Sequence, residues 1–182
     1  MGVKPEVMKS SEVKYDGKFL TLTYDVATVT KDGVEREAWR EVVRHPGATA
    51  VVALRDDGKI LMERQYRYAV QEALLEVPAG KLDPGESPLA CAQRELEEET
   101  GFKANSWTFL GTIATSPGFC DEVIHIYLAE GLAEGTVSWD EDEYVELEYF
   151  TFDELVAAMA AERIKDGKTL AALMLALPRL RP

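Results

Sequence analysis

Cysteine and histidine are scarce in this chain, two of each in 182 residues. Cys91 and Cys120 fall in no paired metal-ligand spacing, which removes a thiolate zinc site and a disulfide framework, and two isolated thiols read as reduced core residues. His45 stands beside Pro46 in a turn and His125 alternates with Ile124 and Ile126, so both read as structural. Long apolar runs are missing too. No stretch approaches the roughly 18 residues that suggest a membrane span, and MGVKPEVMKSSEV contains no apolar signal region. Glu6 stands where a myristoylation motif needs Ser or Thr. A soluble, cytoplasmic protein is the expectation. Basic charge is also in deficit, with 20 Lys and Arg against 33 Asp and Glu and a formal net charge of -13. Such a surface repels nucleic-acid phosphates, so a small anionic ligand has to be received locally, by cations and a few placed arginines.

What is present is a well-supplied core, 46% hydrophobic residues, in a length that suits one domain with a modest appendage. Two alternating segments, 19–30 and 34–44, flank Lys31-Asp32-Gly33 and predict a long β-hairpin. His45-Pro46-Gly47 breaks the pattern. A second hairpin follows, 48–54 and 60–66 around Arg55-Asp56-Asp57-Gly58-Lys59. Ser87 and Pro88 open a helix over 89–100 that Gly101 ends. Further strands are expected at 107–115, 123–129 and 145–151, and further helices at 152–162 and 168–177. This order indicates an α/β fold, a mixed sheet with helices on its faces rather than a regular parallel array.

From Gly80 the chain reads GKLDPGESPLACAQRELEEETGF. On a helix Glu95 and Glu99 are one turn apart on one face and Glu98 flanks them. Crowded like charges favour a bound cation, and all-oxygen ligands without His or Cys select a hard one, magnesium first and manganese as substitute. Glu86, in the loop before the helix, can reach the same cluster or Arg94. Gly80 leaves the backbone bare, so that the Ala79 carbonyl can approach a metal.

This segment resembles the Nudix box, whose family hydrolyses nucleoside diphosphates linked to another group. The resemblance implies an α/β/α sandwich with a mixed β-sheet, preceded by a small N-terminal antiparallel β unit, with residues 1–45 as that unit and 46–182 as the Nudix hydrolase domain. It carries metal binding onto Glu95 and Glu99, then Glu98, which also counts as catalytic, and the Ala79 carbonyl, with Glu86, Arg94 and Gly80 in support. Ser116-Pro117-Gly118, lying at the downstream distance that marks the ADP-ribose pyrophosphatase branch, refines the resemblance, as do Glu76 to Asp83 and Arg64-Gln65-Tyr66-Arg67. In that branch Trp39 matches a ring that stacks on adenine. Arg44, Arg67 and Pro117 match substrate contacts, the arginines through their planar forks. A glutamate from the acidic run 139–144 matches the base that takes the proton of the attacking water, Glu141 first and Glu143 second. The implied activity is magnesium-dependent hydrolysis of ADP-ribose to AMP and ribose 5-phosphate by a homodimer that exchanges its N-terminal unit. Hydrolysis of another nucleoside diphosphate sugar or a dinucleotide stays open, as does a non-catalytic ADP-ribose sensor.

Overall fold

The computed structural model describes residues 4–138 and 144–181. The chain divides into two compact units, Met1–Gly47 with Ala114–Glu122, and Ala48–Ile113 with Val123–Pro182.

The first unit is an antiparallel sheet in the order β1(Val7–Asp16), β2(Thr21–Lys31), β3(Val34–Arg44). The expected hairpin is there, with Lys31 paired to Val34 at its tip and Thr21 to Arg44 at its base. Asp32 at φ 53° and Gly33 at φ 78° both take the left-handed conformation, which a two-residue turn requires to follow the twist of its strands. Strand β1 was not anticipated. All ten of its residues are exposed, so no buried face imprints a hydrophobic alternation on the sequence. It is held by its pairing with β2 and by polar side chains, Ser11 donating to Asp25 at 2.6 Å and Lys9 to Glu37 at 2.5 Å. The segment Ala114–Glu122 joins this unit through backbone bonds from Val43 N–H to the Phe119 carbonyl, 2.7 Å, and from Asp121 N–H to the Val43 carbonyl, 3.1 Å.

The second unit is a seven-stranded sheet with three helices. Its strands are β4(Ala48–Leu54), β5(Lys59–Arg67), β6(Glu72–Glu76), β7(Ala79–Lys81), β8(Phe102–Ala114), β9(Val123–Glu134) and β10(Val145–Thr151). The main path runs β10-β5-β4-β9-β8, with β6 beside β5 and β7 beside β4. β4 runs parallel to β9 and antiparallel to β5 and β7, so the sheet is mixed, as expected. The helices are α1(Pro88–Thr100), α2(Phe152–Ala160) and α3(Gly167–Leu180).

β4 explains the layering. Successive strand side chains point to opposite faces, and here both faces are buried. Ala48, Ala50 and Val52 pack with Leu155 of α2 and with Ala172, Leu173 and Ala176 of α3. Val51 and Ala53 pack with Ala92 and Leu96 of α1. One helix therefore covers one face and two cover the other, the α/β/α sandwich. Full burial on both sides also explains why β4 reads as a continuous apolar run.

α1 begins and ends where expected. The Ser87 hydroxyl accepts from Ala90 N–H at 3.3 Å, and Gly101, at φ 72°, closes the helix with its N–H on the Glu97 carbonyl. α2 stops at Ala160, short of the expected Glu162, and α3 runs to Leu180, past the expected Leu177. The longer α3 tolerates Pro178 in its last turn. Among the described residues no helix is long and apolar enough to cross a membrane.

Candidate active site on helix α1

The acidic face of α1 lies over β7, and Gly80 makes this approach possible. A Cβ at Gly80 would sit 1.8 Å from the carboxyl carbon of Glu95. Any side chain there would displace the glutamate. The bare backbone expected at Gly80 is therefore used, in this structure, by Glu95. One turn on, Glu99 accepts the Ala79 N–H at 3.0 Å, which fixes this nearly buried carboxylate against β7.

Arg94 holds the outer part of the cluster. Its Nε and Nη2 donate to the two oxygens of Glu86, at 3.0 and 2.9 Å, a bidentate pair. Its Nη1 donates to Glu95 at 2.8 Å and to Glu98 at 3.0 Å, and Nη2 also reaches the Lys81 carbonyl at 3.2 Å. Hydrogen bonding from Arg94 pulls the Glu86 carboxyl down to about 2. Hydrogen bonding to Glu86 in turn raises Arg94. Three carboxylates thus share one guanidinium, and negative charge remains in surplus.

A second charged group, part-buried, links β5, β6 and α3. Arg67 grips Glu76 through Nε at 2.8 Å and Nη2 at 2.7 Å. Lys168 also donates to Glu76 and lies 3.0 Å from Asp166, the residue that caps α3. Glu63, on β5 opposite Glu76, is only 2% exposed. Burial pushes its carboxyl up to about 8, and Glu99 is among the groups that act on it. Its Oε1 has no hydrogen-bond partner among the described residues.

Glu63 and Lys168 were not singled out from the sequence, and Glu76 was read only as the start of the segment leading into the box. Glu63 left one signal, a charge directly after Ile60-Leu61-Met62 in a strand that reads as buried. Arg67, expected as a phosphate contact, is engaged with Glu76. In the first unit Trp39 is 62% exposed and lies parallel to Tyr24, with ring centroids 6.3 Å apart. Arg44 is bound to Asp25 and, at 3.2 Å, to Asp121. Pro117 sits in a turn in which Phe119 and Cys120 N–H groups return to the Ser116 carbonyl, at 3.0 and 2.9 Å. Glu141 and Glu143 lie outside the described residues. Cys91 is buried and Cys120 half-buried, both as free thiols, and His45 accepts Gly47 N–H at 3.1 Å, a structural role.

Among the described residues no three Asp, Glu, His or Cys side chains converge as a closed cation cage. Here the carboxylates of α1 accept from Arg94 and from the Ala79 N–H instead. Yet the donor set is all oxygen and in charge surplus, and one buried carboxylate oxygen is unsatisfied. These residues fit a hard divalent cation.

The Nudix domain matches residues 43–173. A methanol dehydrogenase activator of Bacillus methanolicus is 48% identical over 136 residues, 74% of this chain and 74% of that protein. An ADP-ribose pyrophosphatase of Bacillus subtilis (strain 168) is 41% identical over 172 residues, 91% of this chain and 93% of that one. A GDP-mannose pyrophosphatase of Yersinia enterocolitica serotype O:8 is 36% identical over 186 residues, 97% of this chain and 96% of that protein. Among solved structures, that of an ADP compounds hydrolase superposes with a TM-score of 0.82 at 23% identity, covering 100% of this chain and 97% of that one, a likeness of fold. The chain belongs to the Nudix family and is a Nudix hydrolase. Its curated homologues include ADP-ribose pyrophosphatases, and Nudix hydrolases generally depend on a divalent metal.

Proposed function

We propose that the protein hydrolyses the pyrophosphate bond of ADP-ribose to AMP and ribose 5-phosphate with magnesium as its cation and manganese as a substitute. The observation that carries the substrate is the likeness to an ADP-ribose pyrophosphatase over 91% of the chain. The chemistry is carried by α1. Glu95, Glu98 and Glu99, with the Ala79 carbonyl, would hold the cation, which supplies charge neutralisation at the diphosphate and polarises the attacking water. Arg94 keeps Glu95 and Glu98 aligned, and Glu86 keeps Arg94 in place. Arg44 and Arg67 are assigned to the diphosphate and the exposed ring of Trp39 to adenine, with Pro117 shaping the substrate loop. Water adds its hydroxyl to one phosphorus as the bridging P–O bond breaks, and the bridging oxygen leaves with the other phosphate. The proton of the water goes to a carboxylate, Glu141 before Glu143.

The reading extends to a homodimer. Val7, Met8, Val13 and Tyr15 of β1 are all between 58% and 63% exposed, an apolar content suited to cover by a second copy of residues 1–45. Light scattering tests this, and a monomer refutes it. Hydrolysis of another nucleoside diphosphate sugar is the second reading, favoured by the GDP-mannose pyrophosphatase relative. Incubation with magnesium and a panel of ADP-ribose, GDP-mannose and dinucleotides decides between them. ADP-ribose is expected to give the highest kcat/KM, and equal or slower cleavage relative to the others overturns the substrate assignment.

A further inference from the structure

We propose that Glu63 is a further cation-ligating carboxylate of this chain, taking the ion from the Glu99 side of the cluster. The proposal rests on the reading of α1 as a metal-binding helix. Three observations carry it.

Glu63 is 2% exposed, and its Oε1 has no hydrogen-bond partner among the described residues. A buried carboxyl oxygen without a partner is costly, the more so when ionised. Folded chains retain such a group where something else completes it.

The carboxyl also lies alongside that of Glu99, which the Ala79 N–H fixes over β7. A single proton shared between Glu63 and Glu99 would satisfy only the contact between them and would leave Oε1 unsatisfied. A cation accepts oxygen ligands from both side chains, and a carboxylate can bind it through both oxygens.

Charge points the same way. Among the described residues, Glu63, Glu76, Glu99 and Asp166 interact with Arg67 and Lys168. Arg67 and Lys168 are both committed to Glu76. Carboxyl groups therefore outnumber bases here, and a cation held between Glu63 and Glu99 would offset that excess.

The test is titration of the full-length protein with Mn2+, followed by electron paramagnetic resonance, together with the rise in Tm that the ion produces. Glu63→Gln keeps the shape and can donate to Glu99 as a protonated acid would, but it is a poor cation ligand. It is expected to raise the Kd for Mn2+ by about 10- to 100-fold and to shrink the metal-induced rise in Tm. Glu63→Asp, which keeps the charge on a shorter stem, is expected to fall between Gln and wild type, and it carries the test if Glu63→Gln does not fold. Wild-type Kd and Tm rise in the Gln variant, or in Asp where Gln does not fold, overturn the assignment. Should that occur while Glu95→Gln loses Mn2+, the reading of α1 stands and only Glu63 is wrong. If the wild-type protein takes up no Mn2+, both fail together.

Discussion

Around Arg94 one guanidinium is shared by Glu86, Glu95 and Glu98, whereas around Glu76 one carboxylate is shared by Arg67 and Lys168. The two groups are built from the same residue types with opposite arithmetic. The first is short of cations and partly open to solvent. The second matches its central acid with two bases and is closed at Glu76 and Lys168, 2% and 12% exposed, though Arg67 keeps an exposed edge. Surplus carboxylates can take up an ion, while a matched central acid such as Glu76 holds elements together. Glu76 thereby ties β5, β6 and α3 together, while the surplus carboxylates on α1 and beside Glu76 are those proposed to carry the ion.

The largest expected effect lies in the matched group. Glu76→Leu leaves Arg67 and Lys168 without their shared partner and is expected to lower unfolding free energy by about 3–5 kcal/mol, measured by urea denaturation. Adding Lys168→Met should restore part of the loss, because an apolar pair replaces a stranded charge. An unchanged midpoint in the single variant would place Glu76 outside the stabilising network. Next come Glu95→Gln and Glu99→Gln, expected to reduce magnesium-dependent AMP release by about 10²- to 10³-fold with circular dichroism unchanged. Full activity in either would remove that residue from the metal set. Gly80→Ala should act on Glu95 alone, through the 1.8 Å clash with its carboxyl. A displacement of that size is expected to cost about 100-fold in kcat, and wild-type kcat would show that Glu95 has room to move.

The smallest effect is a dependence on pH. Glu86 has its folded carboxyl pulled from 4.5 to about 2 by Arg94. A lowered carboxyl stabilises the fold above its unfolded value and loses that contribution as pH falls through the folded one. The stability difference between wild type and Glu86→Gln should therefore be present at neutral pH and vanish between about 4.5 and about 2. For a pair at the surface it should stay below about 1 kcal/mol. A gap that persists at pH 2 would contradict the assignment to the Arg94 pair.

Local chemistry was legible in the sequence and distant pairing was not. Ser87, Pro88 and Gly101 mark the limits of α1 because caps act within a turn, and the spacing of Glu95, Glu98 and Glu99 fixes their faces once the helix is known. The β2–β3 turn was equally local. β1 left no trace, since its stability comes from an edge pairing and polar contacts rather than burial. Arg67 drew attention as a phosphate contact, yet its hold on Glu76 depends on β5–β6 pairing. That of Lys168 depends on α3 returning to the sheet 92 residues later. Gly80 was noticed for a carbonyl, and the structure adds the Glu95 carboxyl lying across it.

Cys91 gives the packing of α1 a chemical clock. Its thiol is buried beneath the helix, accepts from Thr49 at 3.4 Å and points to the Lys81 carbonyl at 3.3 Å, and burial pushes it up to about 11. An alkylating reagent can reach it only when α1 lifts from β4 and β7, so its labelling rate measures that opening. Cys120, half-buried, belongs to the other unit. Each unit therefore carries one native thiol, and mass spectrometry of the two labelled peptides can time their breathing separately without any engineered probe.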